Sequence, residues 1–347
     1  MVTSSKSFPA LPPGSTVLVH GPNWLGDAVM SMPALQAFHE ANPAVRIVML
    51  TKPRIAGLWK LHPAVGQVVT MAPGTRGVWK TARQLRRHAP ARAYICSNSF
   101  RSALVTLVAG IPSRVGMAGH ARRMLLTNVT PHTRQQGVSH QAAEYFTIFG
   151  SSIPPGGIPA PRLALSPEAV AAARAEWAAD GRPLIALIPG AAYGPSKRWP
   201  GDRFAAVGRE ARANFNARVV VCGTHAEHEL CAAVCEGAGG DAVNLAGKTD
   251  LAALAVVLSL CCAAVTNDSG GMHLASALGC RVVAVYGITD PTMTGPLGPG
   301  HHVLQSEGVA RSRDLQRDST AASAALQSVT VSEVVSALAD IMPGAAS

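Results

Sequence analysis

Two Rossmann-like α/β halves are the architecture this sequence predicts, and three observations carry the prediction. The chain has 347 residues, more than one domain of roughly 100 to 200 residues accounts for. Short apolar runs alternate with helical patterns, which implies βαβ units on mostly parallel sheets. A Pro- and Gly-rich passage at residues 152–161 interrupts this alternation, which then restarts.

The elements follow in order. Residues 16–20 read as an apolar strand that runs into Gly21-Pro22-Asn23, after which Val29, Met32, Leu35 and Phe38 recur at helical spacing. Residues 45–50 and 93–96 read as further strands, with a basic helix over 83–87 between them. Beyond the linker come strands at 184–188, 218–222, 263–266 and 281–286, most followed by a loop and a helix. An amphipathic helix at about 331–341 closes the chain. The expected organisation is an N-terminal domain over 1–160, a second over 161–330, and a C-terminal segment 331–347 free to pack back on the first. Open α/β sheets bind ligands outside the carboxyl ends of their strands, so the loops after those strands should carry the chemistry, with a cleft between the halves.

Composition narrows the function. Hydrophobic residues make up 48% and charged residues 14%, which suits a water-soluble globular protein. No apolar run approaches the roughly 20 residues that span a bilayer, and the first 14 residues lack the apolar core of a signal peptide and read as a short lead-in. Seven cysteines without paired zinc-type spacing read as buried thiols in a reducing cytoplasm. Residues 1–150 hold 16 of the 30 Lys and Arg against three acids, Asp27, Glu40 and Glu144, while the remainder carries 14 basic and 17 acidic residues. That asymmetry predicts an anionic partner for the first half. Nucleic acid, anionic lipid and a phosphorylated saccharide all fit, as does a solvated basic face with no specific partner.

Three loops stand out. Thr266-Asn267-Asp268-Ser269-Gly270-Gly271-Met272-His273 turns from strand into helix, where first-turn amides lack intrahelical partners and the helix dipole attracts phosphate. Asp268 or Ser269 could instead simply cap that helix. Ile188-Pro189-Gly190-Ala191-Ala192 runs on through Tyr193 to Ser196-Lys197-Arg198-Trp199-Pro200 and supplies mobile cations beside the proposed phosphate site, or is an ordinary surface turn. Gly21-Pro22-Asn23-Trp24-Leu25-Gly26-Asp27-Ala28 lacks the Gly-Lys-Ser/Thr ending of a phosphate loop, and no GxGxxG follows, which counts against a dinucleotide oxidoreductase. Asp27, on a loop facing the cleft, is placed to take a proton from an attacking hydroxyl, or to cap the next helix.

Together these segments resemble the ADP-heptose:lipopolysaccharide heptosyltransferases of glycosyltransferase family 9, particularly the heptosyltransferase II branch. The resemblance runs from Thr16 to about Pro299. It implies a GT-B fold and inverting transfer of a manno-heptose from ADP-heptose to a heptose of the lipopolysaccharide inner core. By that resemblance Asp27 matches the general base, and Lys197 the residue on the donor's phosphates and sugar. Asp268, Ser269, Gly270, Gly271 and His273 match the donor motif, Ala191 and Ala192 the small residues near the phosphates, Glu227 the acid on the ribose, and Lys248 and Thr249 the loop near the adenine.

The resemblance also gives the basic half a purpose, since inner-core lipopolysaccharide is rich in carboxylates and phosphates. Asn23, Trp24, Lys52, Arg54, Lys60 and Arg122 are the expected acceptor contacts, with Arg76, Lys80, Arg101, Arg114 and Arg123 as further basic candidates. No metal is required, Mg²⁺ being at most a stimulating ion, and the absence of any Asp-X-Asp triplet disfavours a metal-bridged donor. Expected surroundings are the cytoplasm, with transient association at the inner face of the cytoplasmic membrane. A nucleic-acid partner is not expected, because no helix-turn-helix or RNP motif occurs. A family 9 enzyme with another donor or acceptor is the alternative. In one respect the chain departs from the family: many heptosyltransferase II sequences carry a Cys-rich C-terminal segment, and here residues 310–319 contain none.

Overall fold

A computed structural model of the chain describes residues 9–131, 140–306 and 319–342. The start of the lead-in and residues 310–318 of the departing segment lie outside them. The chain forms two compact units, Met1–Ala164 and Leu165–Ser347, so the boundary expected at 160/161 falls at 164/165.

Unit 1 runs β1 (Thr16–His20), α1 (Leu25–Ala41), β2 (Arg46–Thr51), α2 (Ala56–Lys60), β3 (Gln67–Thr70), α3 (Gly74–Arg86), β4 (Arg92–Ile95), α4 (Phe100–Val108), β5 (Ser113–Met117), β6 (Asn128–Thr130) and α5 (Ala142–Phe149). Unit 2 runs α6 (Pro167–Trp177), β7 (Leu184–Ile188), α7 (Gly201–Phe215), β8 (Arg218–Val221), α8 (His228–Ala238), β9 (Val243–Asn244), α9 (Leu251–Leu260), β10 (Ala263–Asn267), α10 (Gly270–Ala277), β11 (Arg281–Tyr286), α11 (Pro291–Thr294), β12 (His302–Gln305), α12 (Thr320–Ser328) and α13 (Val331–Ile341).

Each unit holds one six-stranded sheet, in the orders β3-β2-β1-β4-β5-β6 and β12-β11-β10-β7-β8-β9. All pairings are parallel. Counted from its own first strand, each sheet has the doubly wound order 3-2-1-4-5-6. Connections leave the two central strands in opposite directions and open a crevice at their carboxyl ends. That switch point lies between β1 and β4 in unit 1 and between β7 and β10 in unit 2.

The central strands β1, β7 and β10 are buried along their whole length, as strands covered by helices on both faces must be, and their sequences are accordingly near-continuous apolar runs. In unit 1, Val78 and Leu85 of α3 and Val105 of α4 cover one sheet face against Leu18, Val48 and Ile95. On the other face Phe38, Tyr94 and Phe149 stack with centroids 5.0 to 5.5 Å apart. In unit 2, Val207 of α7, Val234 of α8 and Leu326 of α12 close on Leu187, Val219 and Val265. Val334, Leu338 and Ile341 join that same core. The apolar face of α13 is thereby filled inside unit 2, which corrects the expectation that this helix packs back on the first domain.

Candidate active site

The loop leaving β7 is held at both ends. Asn267, the last residue of β10, donates from Nδ2 to the Pro189 carbonyl at 2.8 Å and accepts the Trp199 N–H at 2.9 Å. Trp199 is fully buried, its indole N–H bonded to the Val329 carbonyl at 2.9 Å and its ring edge-on to Phe204 at 5.1 Å. These contacts pin residues 189–199 across the switch point. Between the pins a 3-10 turn, Pro195–Lys197, brings the Lys197 ammonium onto the Asp268 carboxylate. Asp268 Oδ2 also accepts the Thr289 hydroxyl at 2.8 Å. Lys197 is therefore a paired cation, held on a carboxylate of the same unit. With side-chain exposures of 21% for Lys197 and 7% for Asp268, the pair is largely removed from water, and Coulomb attraction is stronger there than at an open surface.

Next to this pair α10 begins. Ser269 occupies its N-cap position without a side-chain capping bond, and Asp268 is engaged elsewhere, so neither residue caps the helix. The first-turn N–H groups, carrying the positive end of the helix dipole, sit directly after Asp268. Gly271 has a packing role: a Cβ there would come within 2.8 Å of Ile188 Cγ2, so its bare α-carbon lets α10 lie against β7. His273 is buried in the same helix.

Glu227 reaches this region from the loop after β8. Its Oε2 accepts the Thr224 N–H at 2.9 Å and hydroxyl at 2.8 Å, while Oε1 lies 3.8 Å from the Arg198 guanidinium. The carboxylate rests on Gly190, where a Cβ would overlap Oε1. Ala191 is buried, its carbonyl taken by Arg198 at 3.1 Å, and Ala192 is exposed. Lys248 and Thr249 lie in the turn after β9, Lys248 exposed, ahead of Asp250, which caps α9.

Unit 1 repeats the pattern at its own switch point. Asn23, after β1, donates to Ser97 Oγ, after β4, at 2.7 Å, and its carbonyl accepts Arg54 at 2.7 Å. The same guanidinium lies 4.7 Å over the half-exposed ring of Trp24. Asp27 stands in the first turn of α1, with Trp24 at the N-cap position, so it is neither on a loop nor a cap. Its carboxylate accepts Gln141 Nε2 at 3.2 Å. The nearby Tyr145 hydroxyl is held well above its ordinary pKa, first by burial and then by the Asp27 charge.

The basic residues separate by role. Burial lowers the Lys52 pKa, with Arg54 and Arg101 adding to it, so Lys52 joins Asn23, Trp24 and Arg54 in one electropositive group. Lys60 ends α2 as an exposed side chain and, among the described residues, makes none of these contacts. Arg122 corrects the expectation of an acceptor contact. It is fully buried, donating to the carbonyls of Met117 (2.8 Å) and Ser97 and to Asn98 Oδ1 (3.0 Å), and so braces the loop after β4 from within. Arg114 is likewise spent on the Leu125 and Ile111 carbonyls at 2.7 and 2.6 Å. The cysteines are free, and burial pushes the Cys222 thiol up to about 12, as it does, mainly, for Cys231.

The model of glycosyltransferase family 9 (heptosyltransferase) matches residues 78–324. The chain belongs to glycosyltransferase family 9. This family 9 chain is 30% identical over 305 residues to lipopolysaccharide heptosyltransferase 2 of Escherichia coli (strain K12), covering 83% of itself and 87% of that relative. It superposes on the E. coli ADP-heptose lps heptosyltransferase II structure with a TM-score of 0.81 and 28% identity, over 94% of this chain and 98% of that one. A likeness to E. coli heptosyltransferase WaaC with ADP (TM-score 0.68, 21% identity, 94% and 99% covered) bears on the fold alone. The family 9 chain is thus a glycosyltransferase of GT-B fold.

Thr289, Asn267 and Gln141 are the site residues to which the sequence assigns no role. Asn267 lies within a recognised motif. Thr289 and Gln141 meet their carboxylates across 21 and 114 residues of chain, and no local pattern announces such contacts.

Proposed function

We propose that this glycosyltransferase moves a manno-heptose from ADP-heptose to a heptose of the lipopolysaccharide inner core, with inversion at the anomeric carbon. The observation that carries the donor half is the Lys197–Asp268–Thr289 array at the first turn of α10. A cation and a helix N-terminus at a switch point suit a diphosphate and the charge that grows on it as ADP leaves. In the proposed reaction the acceptor hydroxyl forms a bond to the anomeric carbon while the bond to the donor's phosphate oxygen breaks. Asp27 takes the hydroxyl proton, and no covalent enzyme intermediate forms. Ala191, Ala192, Ser269, Gly270, Gly271 and His273 would line the donor, Glu227 the ribose, and Lys248 and Thr249 the adenine. On the acceptor side Asn23, Trp24, Lys52 and Arg54 form the electropositive group that suits a phosphorylated saccharide. The reading includes a cytoplasmic location with transient association at the membrane that carries the acceptor.

Consumption of a donor panel by the purified protein tests the reading. ADP-heptose should be turned over, and UDP- and GDP-sugars should not. Turnover of a UDP- or GDP-sugar with ADP-heptose neither bound nor consumed would assign the chain a different donor.

A further inference from the structure

One exposed face of unit 1 is built by α3, α4 and the 3-10 turn Arg123–Leu125. On α3, Val78, Ala82 and Leu85 enter the core. Arg76, Trp79, Lys80, Arg83 and Arg87 recur at i, i+3, i+4, i+7 and i+11, a single stripe, and all are exposed. The Trp79 ring is 67% exposed. α4 packs beside α3, with the Arg86 guanidinium on the Val108 carbonyl at 2.6 Å, and turns Phe100 and Leu107 outward at 42% and 39% exposure. The adjoining 3-10 turn presents Met124 at 83%. Of the seven large hydrophobic side chains exposed among the described residues, four lie on this face.

No acid offsets the charge. The acids of unit 1 are on α1 and α5, which pack on the opposite side of the sheet through Phe38, Tyr94 and Phe149. No single described helix is long and apolar enough to cross a membrane.

We propose that this face docks on an anionic lipid bilayer, with Trp79, Phe100, Leu107 and Met124 in the headgroup boundary and the arginines and lysine of α3 on lipid phosphates. An apolar stripe beside a cationic one is the pattern by which helices lie in a membrane interface. Nucleic acid could stack on Trp79 and Phe100 but gives Leu107 and Met124 no apolar phase to enter, and a second copy would set one cationic stripe against another. The assignment rests on the reading of unit 1 as the half that meets a lipid-linked acceptor. Vesicle binding itself needs no donor, so failure of heptosyl transfer and failure of docking are separately visible.

The test is co-sedimentation of the full chain with phosphatidylethanolamine–phosphatidylglycerol vesicles and with phosphatidylcholine vesicles. Binding is expected to the anionic vesicles alone, to weaken with added salt, and to fall by about tenfold or more in the Trp79→Ser, Met124→Ser double variant. That variant should keep the wild-type melting temperature and ADP affinity. A second variant, Arg83→Gln with Arg87→Gln, should also weaken binding, and delipidated core saccharide should leave it intact. The proposal is overturned if anionic vesicles are not bound or if both variants bind in full. Displacement of the vesicles by the saccharide, a preference for duplex DNA, or a lipid-free dimer that the variants dissolve would overturn it equally.

Discussion

Asp268 shares its Oδ2 between the Lys197 ammonium and the Thr289 hydroxyl, and so anchors the loop after β7 to the start of α10. Replacing Lys197 by Met strands a nearly buried carboxylate, and unfolding stability should drop by about 3 kcal/mol, measured in urea. Adding Asp268→Asn should recover part of that stability but none of the donor affinity, separating the fold's use of the pair from the ligand's. Asp27, in the first turn of α1, accepts the Gln141 amide. Asp27→Asn should lower kcat by about 10²- to 10⁴-fold and leave ADP affinity unchanged by calorimetry. His20, at the carboxyl end of β1, has its pKa lowered to about 4, chiefly by burial and further by Arg122 and Lys52, and burial likewise lowers His62 to about 4. Because the folded values lie below the ordinary 6.5, the unfolded chain binds more protons between the two. Stability from these groups is full above about pH 6.5 and is lost as pH falls toward 4. A His20→Gln variant should flatten that part of a melting-temperature profile.

Elements were legible in proportion to their burial. β1, β7, β10 and β11 are long apolar runs because helices cover both faces of the sheet centres, and each is readable without knowledge of its neighbours. β9 has two half-buried residues and β12 includes an exposed valine, and such edge strands are fixed by pairing with β8 and β11. Site residues divide the same way. Lys197 and Asp268 lie in motifs whose spacing survives in the sequence, whereas Thr289 and Gln141 depend on where distant elements pack. Arg122 departs from the expectation because an arginine's charge suggests solvent, while its five donors can equally satisfy buried carbonyls. Because a Cβ at position 190 would overlap Glu227 Oε1, Gly190→Ala must displace the carboxylate and its capping bonds to Thr224. Stability should fall by about 1 to 3 kcal/mol, and ADP affinity should fall with it.

At the scale of the molecule, two units of the same strand order carry opposite charge balances and would meet chemically different ligands. The sign of that asymmetry was readable at once in the sequence, and the fold adds which cations remain available: Lys52 and Arg54 stand beside Asn23 and Trp24, while Arg114 and Arg122 are used internally. If the basic group receives a phosphorylated acceptor, the KM for that acceptor should rise steeply with ionic strength while the KM for the donor changes less. The most direct measurement is transfer from ADP-heptose to a panel of truncated core acceptors, with linkage analysis of the product. ADP release is expected together with one new heptose–heptose linkage of inverted anomeric configuration, formed best on phosphorylated acceptors. A product of retained configuration, or no transfer from ADP-heptose while another nucleotide sugar is consumed, would contradict it.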